Sequence, residues 1–235
     1  MKYKSLAISL TYIKYGDSSI ISKIFTKEKG LQSFIIKGVR AKKSKKKLGY
    51  FSPLKLLIID ANFDPKKTLQ YLGEVNIAEH IDCVENKMIK KFISCFIAEV
   101  SVKVLLENEK NISIFNFIWD TAITLFESKK TNPNFALNYL IRLSSFLGFG
   151  PLKSNSKKLF FNLETGTFSQ EKSSIENCLD EEKSNYLNDL LNETDVSIPQ
   201  KTKSDLLKSL LKYYGLHHYN LSGITSHLII EELRK

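Results

Sequence analysis

Up to Val75 the apolar residues of this chain alternate with polar ones; beyond it they recur every three or four positions. The first period belongs to half-buried strands and the second to amphipathic helices, so a small β domain precedes a helical one. Tyr3–Tyr15 reads Y-K-S-L-A-I-S-L-T-Y-I-K-Y, with Leu6, Ile8 and Leu10 alternating with Ala7 and Ser9. Gly16-Asp17 supplies a turn, Ser18–Phe25 a second strand, and Lys27-Glu28-Lys29-Gly30 a hairpin connection. Leu31–Lys37, Leu54–Ala61 and Thr68–Val75 complete a set of five strands. Five short antiparallel strands leave open edges and an uncovered face, and curling into a barrel removes both. An OB-like barrel meets this description, with an SH3-like barrel as the alternative that strand count does not exclude.

The fold class expected is therefore α+β: a five-stranded barrel over residues 1–77, then a mainly helical domain over 78–235. The helical part begins with Ile89, Phe92, Ile93, Phe96, Ile97, Val100 and Val104 at helical spacing. Ile112–Glu127 is a second helix and Asn134–Leu147 a third, with Pro133 placed to start it and Gly148 to stop it. Around residues 157–169 the helical period lapses. Glu164-Thr165-Gly166 reads as a hairpin turn between Leu159–Leu163 and Thr167–Phe168. Asn185–Leu191 makes a short helix, 203–218 a longer one, and Ile224, Leu228, Ile229 and Leu233 mark a last helix.

Charge is divided as sharply as period. Residues 1–75 hold 16 basic and 5 acidic side chains, a net of +11, while the rest of the 235-residue chain holds 19 and 20. Seven of the basic residues, Lys37, Arg40, Lys42, Lys43, Lys45, Lys46 and Lys47, fall in the connection between the third and fourth strands. Charge of that density is not buried, because each unpaired ammonium would lose its hydration. It is solvated or covered by a polyanion, and on a barrel it suits the phosphates of nucleic acid, which ask for charge more than fixed geometry. Lys14 near the first turn and Lys27 and Lys29 in the hairpin extend the candidate set. Tyr12, Tyr15, Phe34, Tyr50 and Phe51 are available for stacking, and Tyr50-Phe51, beside the basic run, is the pair expected to be partly exposed.

The motifs of common enzyme classes are absent: no GxSxG, Walker A, HExxH or glycine-rich dinucleotide loop. Cys83, Cys95 and Cys178 are far apart and none belongs to a CxxC pair, which argues against a thiolate zinc site and against a secreted disulfide framework. His80 stands alone, and His217, His218 and His227 lack accompanying cysteines. No apolar run reaches the length a bilayer needs. The expectation is a soluble, cytoplasmic and nucleoid-associated protein without cofactor, metal or membrane partner.

The order of motifs resembles a known family. Y-G-D-S-S at the first turn, F-T-K-E-K-G, I-K-G-V-R-A-K-K-S and F-S-P-L are similar to the amino-terminal domain of the RecO family of bacterial recombinational-repair proteins. The segments L-I-R-L-S-S-F-L-G-F-G-P and Y-Y-G-L-H-H-Y-N-L-S-G-I-T-S-H-L-I-I-E-E-L continue the resemblance to the C-terminal helices. Each motif is degenerate; their order and spacing carry the match.

The resemblance implies an OB-fold that binds single- and double-stranded DNA, a non-enzymatic annealer of complementary strands, and a mediator that helps load the recombinase onto protein-coated single strands. It implies RecR as partner, RecF in some bacteria, and the C-terminal tail of the single-stranded DNA-binding protein. That tail would dock near Arg142, Phe146 and Phe149. In two respects the chain departs from the family, one of them His227, where a lysine commonly precedes serine-like positions in relatives. Many relatives carry four cysteines after the leucine–glycine segment, where this chain reads P-L-K-S-N-S-K-K-L-F-F-N-L-E-T-G-T-F. Serine, asparagine and lysine do not replace thiolates around zinc. Two other readings stand beside this one: a sequence-specific or transcription-type module built on paired helices at 203–233, and a nuclease, for which a carboxylate cluster is wanting.

Overall fold

The computed structural model describes residues 1–41, 48–78, 87–155, 160–171 and 176–226. Its first five strands are β1 (Lys2–Tyr15), β2 (Ser19–Thr26), β3 (Gly30–Ile36), β4 (Lys55–Asn62) and β5 (Leu69–Ile77). They close into a barrel in the order β1-β2-β3-β5-β4, with β4 returning to β1. All neighbours are antiparallel except β3 and β5, which run parallel. The expectation of five antiparallel strands is corrected here, and for a geometric reason. Around a ring of five, directions cannot alternate throughout, so one parallel pair must remain. The parallel β3–β5 pair and the β1–β4 closure are the topology of the OB-fold.

β1 serves two partners. Its first half, Lys2–Ser9, pairs with β4, and Ala7–Tyr15 pairs with β2. A bulge between Ser9 and Thr11 bends the strand between them. Inside the barrel lie Ile20, Ile24, Phe34, Leu57, Ile59 and Leu72 among others. Phe51 joins them with no exposed surface, and Tyr50 packs half-buried against the same core. Phe51 thus plugs the barrel instead of being partly exposed, because a 3-10 turn at Leu48–Phe51 rotates its ring inward. Leu54 follows with φ +58. A leucine in that region costs about 1–3 kcal/mol. Burial of its side chain and donation of its N–H to the Ser9 carbonyl at 2.8 Å hold it there.

Two helices complete the first compact unit, which runs Met1–Thr131: α1 (Lys87–Val104) and α2 (Ile112–Glu127). α1 lies on β1, and Phe115 of α2 meets Phe25 of β2 at 5.5 Å between ring centroids. Asn111 caps α2, its side chain accepting from the Ile114 N–H at 3.0 Å, an arrangement worth about 1 kcal/mol. Lys90 of α1 is buried and donates to the Phe126 and Ser128 carbonyls at the C-terminal end of α2. That end carries the negative pole of the helix, so the ammonium is compensated there.

The second unit, Asn132–Lys235, contains α3 (Phe135–Phe146), the hairpin β6 (Phe160–Asn162) and β7 (Thr167–Ser169), α4 (Glu181–Leu191) and α5 (Gln200–Leu216). α4 starts four residues before the expected Asn185. Asp180 caps it by accepting from the Lys183 N–H at 2.9 Å, and Glu181 and Glu182 complement the positive helix end. The expected last helix is described only to Ser226; the rest lies outside the described residues. Among the described residues no helix is long and apolar enough to cross a membrane.

Candidate nucleic-acid interface

Strand register sorts the outer face of the barrel into three cross-strand rows. Ile8, Phe25 and Leu31 form the first and are buried, with Phe25 against Phe115 of α2. Thr11, Lys23, Ser33 and Leu69 form the second. There Glu107, in the α1–α2 connection, approaches Lys23 at 2.9 Å and accepts from Ser33 at 3.4 Å. Ile13, Ile21, Ile35 and Tyr71 form the third, with Ile13 65% and Tyr71 49% exposed. The helices therefore cover one part of the sheet's outer face and leave another open.

Beside the open part stand the cations. Lys37 leaves the end of β3 and places its ammonium 5.8 Å from the centre of the Tyr71 ring; Lys67 comes to 5.9 Å of the same ring. Lys67 belongs to the β4–β5 turn, which the buried Gln70 side chain holds. Its amide donates to the Asp64 and Lys67 carbonyls and accepts from the Asp64 N–H. Lys67 also lies 3.6 Å from the Asp64 carboxylate, an exposed pair that contributes little. Arg40 is exposed and fixed at the β1–β2 turn, its N–H bonded to the Ser18 carbonyl and its guanidinium to the Gly16 carbonyl at 3.0 Å. Lys14 is exposed near the end of β1, just before that same connection.

Lys14, Lys37 and Arg40 are thus brought to one end of β2. Lys27 and Lys29 are not: they sit in the β2–β3 hairpin at its other end. Lys27 is bonded through its N–H to the Leu6 carbonyl, and Lys29 lies 5.3 Å over the Phe63 ring. That hairpin is pressed by the α1–α2 connection. Lys110 pairs with Glu28 at 3.0 Å, and Gly30 has φ +71 with the Glu109 carbonyl where a Cβ would stand. Lys42, Lys43, Lys45, Lys46 and Lys47 lie outside the described residues.

Sequence reasoning misses Tyr71, Lys67 and the open row, although a signal is present. Ile20-Ile21 and Ile35-Ile36 are apolar doublets inside strands, and a doublet breaks alternation by placing one apolar side chain on each face. Phe34, considered for stacking, is wholly in the barrel core, whereas Tyr12 and Tyr15 are 37% and 51% exposed.

In the second unit Arg142 and Phe146 lie four residues apart on one exposed side of α3, Phe146 with 43% of its surface open. Phe149 does not join them. Its ring stacks on His217 at 4.8 Å and on Tyr219 at 5.3 Å, and meets Tyr213 and Tyr214 at 5.4 and 4.9 Å. The Tyr213 hydroxyl donates to the Phe149 carbonyl. Burial pushes the Tyr213 hydroxyl up to about 12 and the Tyr214 hydroxyl well above its usual range. The same rings reach the β6–β7 hairpin: Phe161 lies 5.7 Å from Tyr213 and 4.9 Å from Phe168, and His217 Nε2 is 3.3 Å from the Leu163 carbonyl.

This is the segment in which many relatives of the resembling family carry four cysteines. Among the described residues no group of three or more His, Cys, Asp or Glu is placed to hold a metal ion. Around the hairpin the free thiol of Cys178 belongs to a residue bridged to Asn162, Glu164 accepts from the Asn177 side chain and His217 is engaged with the Leu163 carbonyl; among the described residues these are not gathered into one site, and one thiol, one carboxylate and one engaged imidazole do not fit a structural zinc.

A closed barrel of this strand order with an open, lysine-flanked outer face defines an OB-fold protein. Residues 1–81 match the family model described as Recombination protein O N terminal. The chain is 32% identical to the DNA repair protein RecO of Flavobacterium psychrophilum, over all of this chain and 99% of that one. It is 28% identical to the RecO of Azobacteroides pseudotrichonymphae over 99% of both chains, and 30% identical to that of Flavobacterium johnsoniae over 92% of both. The chain belongs to the RecO family of bacterial recombinational-repair proteins.

Proposed function

We propose that this chain is a non-enzymatic recombination mediator. It binds single- and double-stranded DNA through the barrel, anneals complementary strands, and with RecR helps load the recombinase onto strands coated by the single-stranded DNA-binding protein. The observation that carries the reading is the gathering of Lys14, Lys37 and Arg40 at the end of the barrel from which the five-lysine segment 42–47 departs. Two polyanions approach only when their phosphate repulsion is reduced, and their base edges must stay available to pair. Lysines gripping backbones meet both conditions without reading sequence and without nucleotide hydrolysis.

Arg40, tied to the β1–β2 turn, and Phe51, buried in the barrel, hold the two flanks of the basic segment. Lys27 and Lys29 serve as secondary phosphate contacts near the β2–β3 hairpin. In the second unit Arg142 and Phe146 receive the acidic, apolar tail of the single-stranded DNA-binding protein, the guanidinium its carboxylates and the ring its apolar side chain. RecF takes part in those bacteria that use it.

The test is oligonucleotide annealing and DNA binding across a salt series, with Lys42, Lys43, Lys45, Lys46 and Lys47 replaced by glutamine. The expected result is weaker binding to both DNA forms, slower annealing, and a salt slope on single strands shallower by about 0.7 for each phosphate no longer neutralised. Unchanged binding and annealing overturns the role of the segment. Preference for one duplex sequence would favour the transcription-type reading.

A further inference from the structure

Beyond Ser9, β1 has a strand on one side only. Its ladder with β4 ends at Ser9 and Lys55, whereas its ladder with β2 runs on to Tyr15 and Ser19. Leu54 sets the end of the first ladder: at φ +58 it brings the chain to β1 just at Ser9, where its N–H meets the carbonyl. Successive residues of a strand turn their N–H and C=O groups to opposite sides. Some of those in Thr11–Tyr15 therefore point away from β2, and among the described residues none of them has a backbone partner on that side. Sheets blunt an open edge with proline, several charges, a bulge or a cover. This edge has a bulge where it begins and then reads T-Y-I-K-Y, of high β propensity and with a single charge. Ile13 and Tyr15 are 65 and 51% exposed on it.

Chemistry narrows what such an edge takes. Unpaired amide groups at strand spacing are matched by another polypeptide backbone, which a nucleic acid does not offer. Alternation puts Thr11, Ile13 and Tyr15 on one face of the strand and Tyr12 and Lys14 on the other. Arg40 stands at the adjoining turn, its guanidinium on the Gly16 carbonyl at 3.0 Å. A second copy of this chain, paired edge to edge about a two-fold axis, would bring Lys14 and Arg40 towards their own equivalents in a region of net charge +11. An acidic partner meets no such repulsion.

We infer that the open edge of β1 accepts an extended acidic peptide as an added strand. Backbone hydrogen bonds to Thr11–Tyr15 supply the attachment, and alternate side chains supply the choice of partner. On one face the peptide sets apolar residues beside Ile13 and Tyr15; on the other it sets carboxylates beside Lys14 and Arg40. The barrel thereby carries a protein-binding edge as well as a nucleic-acid interface. This edge belongs to the first unit and is separate from the tail site proposed at Arg142 and Phe146 in the second. It does not depend on what the 42–47 segment binds.

The experiment titrates the full chain against a short labelled peptide that alternates aspartate with isoleucine or phenylalanine, followed by fluorescence anisotropy. Two further peptides carry N-methyl groups on every second residue, in one phase or the other. An added strand uses the N–H groups of one edge alone. One methylated peptide should therefore bind like the parent, and the other about tenfold or more weaker, because it leaves carbonyls of β1 without donors. Lys14→Gln should weaken the parent peptide about two- to fivefold, the size of one exposed ion pair. Ile13→Ser should weaken it by a similar factor through the lost cross-strand contact. Amide hydrogen exchange in Thr11–Tyr15 should slow when the peptide saturates the chain. Thermal melting of each variant separates lost binding from lost folding. The inference falls if the parent peptide does not bind, if the two methylated peptides behave alike, or if exchange in Thr11–Tyr15 is unchanged at saturation. It falls equally if Arg142→Ala abolishes binding while Ile13→Ser is silent, which would place the peptide in the second unit. A concentration-dependent dimer that Ile13→Ser disperses would give the edge to a second copy instead.

Discussion

In the barrel unit Tyr12, Tyr15 and Tyr71 expose 37, 51 and 49% of their surface; in the second unit Tyr139, Tyr213 and Tyr214 expose 3, 1 and 0%. Three tyrosines are thus held at the surface of the barrel unit and three are packed inside the second, while Tyr3 and Tyr50 of the barrel and Tyr186 and Tyr219 of the second unit lie between these extremes. The packed rings cross-link α3, α5 and the hairpin by packing and by hydroxyl–carbonyl bonds: Tyr214 to Leu140 at 2.7 Å, and Tyr213 to Phe149. Among the described residues the exposed rings make no comparable lattice, and Tyr71 is instead approached by two ammonium groups. Where a ring is tied down on all sides it stabilises; where it is open and bordered by cations it is available to a ligand.

The largest test of that contrast is truncation. Phe149→Ala removes a ring that four others touch and should cost about 3–5 kcal/mol in urea unfolding of the second unit. Tyr15→Ala should stay within about 0.5 kcal/mol of wild type. Equal losses would erase the distinction. Next in size is Tyr213→Phe, which leaves the Phe149 carbonyl without its donor and should cost about 1–3 kcal/mol.

Alkali gives a third test. Tyr213 ionises at about 12 when folded, above the usual 10, because burial disfavours the phenolate. A group whose folded value is raised contributes fully below the unfolded value and loses its contribution as pH rises from about 10 through about 12. Tyr214 acts in the same direction. In the barrel Tyr3 is likewise raised to about 12 by burial. Spectrophotometric titration should therefore show a tyrosinate phase coupled to loss of circular dichroism as pH rises from about 10 through about 12.

Smaller still is the effect of Glu107→Gln. It releases Lys23 from its 2.9 Å partner at the border between covered and open rows, and should tighten single-strand binding about two- to fivefold, the size expected for one exposed ion pair. A chelator should have the smallest effect of all. The hairpin is held by rings and carbonyl bonds, so EDTA should leave the melting temperature unchanged; a fall would show a metal that the described residues do not accommodate.

Much of the fold is legible in the sequence. Strand alternation places all five barrel strands within a residue or two, and the 3.6 period places α2 at Ile112–Glu127. Strand direction is not legible: the parallel β3–β5 pair follows from ring closure, which no local pattern records. The inward turn of Phe51 is also hidden, since it depends on a short 3-10 segment beside a lysine run. The first turn of α4 has charge and a cap but little apolar period, so its periodicity shows only the later part. For the site, Lys37 and Arg40 stand out as charge. Tyr71 does not, because its meaning comes from β1, β2 and β3 completing its row, a relation made only by the barrel.

The seal along the edge of β3 concerns the order in which the chain is made. Leu31 bridges to Glu107, and Gly30 leaves room for the Glu109 backbone. A ribosome adding about 5–20 residues per second takes roughly 4–15 s to pass from Leu31 to Glu107. During that interval β1–β3 can form a meander and β4, once made, can close on β1, but Phe25 and Leu31 have no helix to cover them. Ribosome-bound chains ending before Ile112 should accordingly engage holdase chaperones through the Ile8–Phe25–Leu31 row, and chains extended past α2 should lose that affinity.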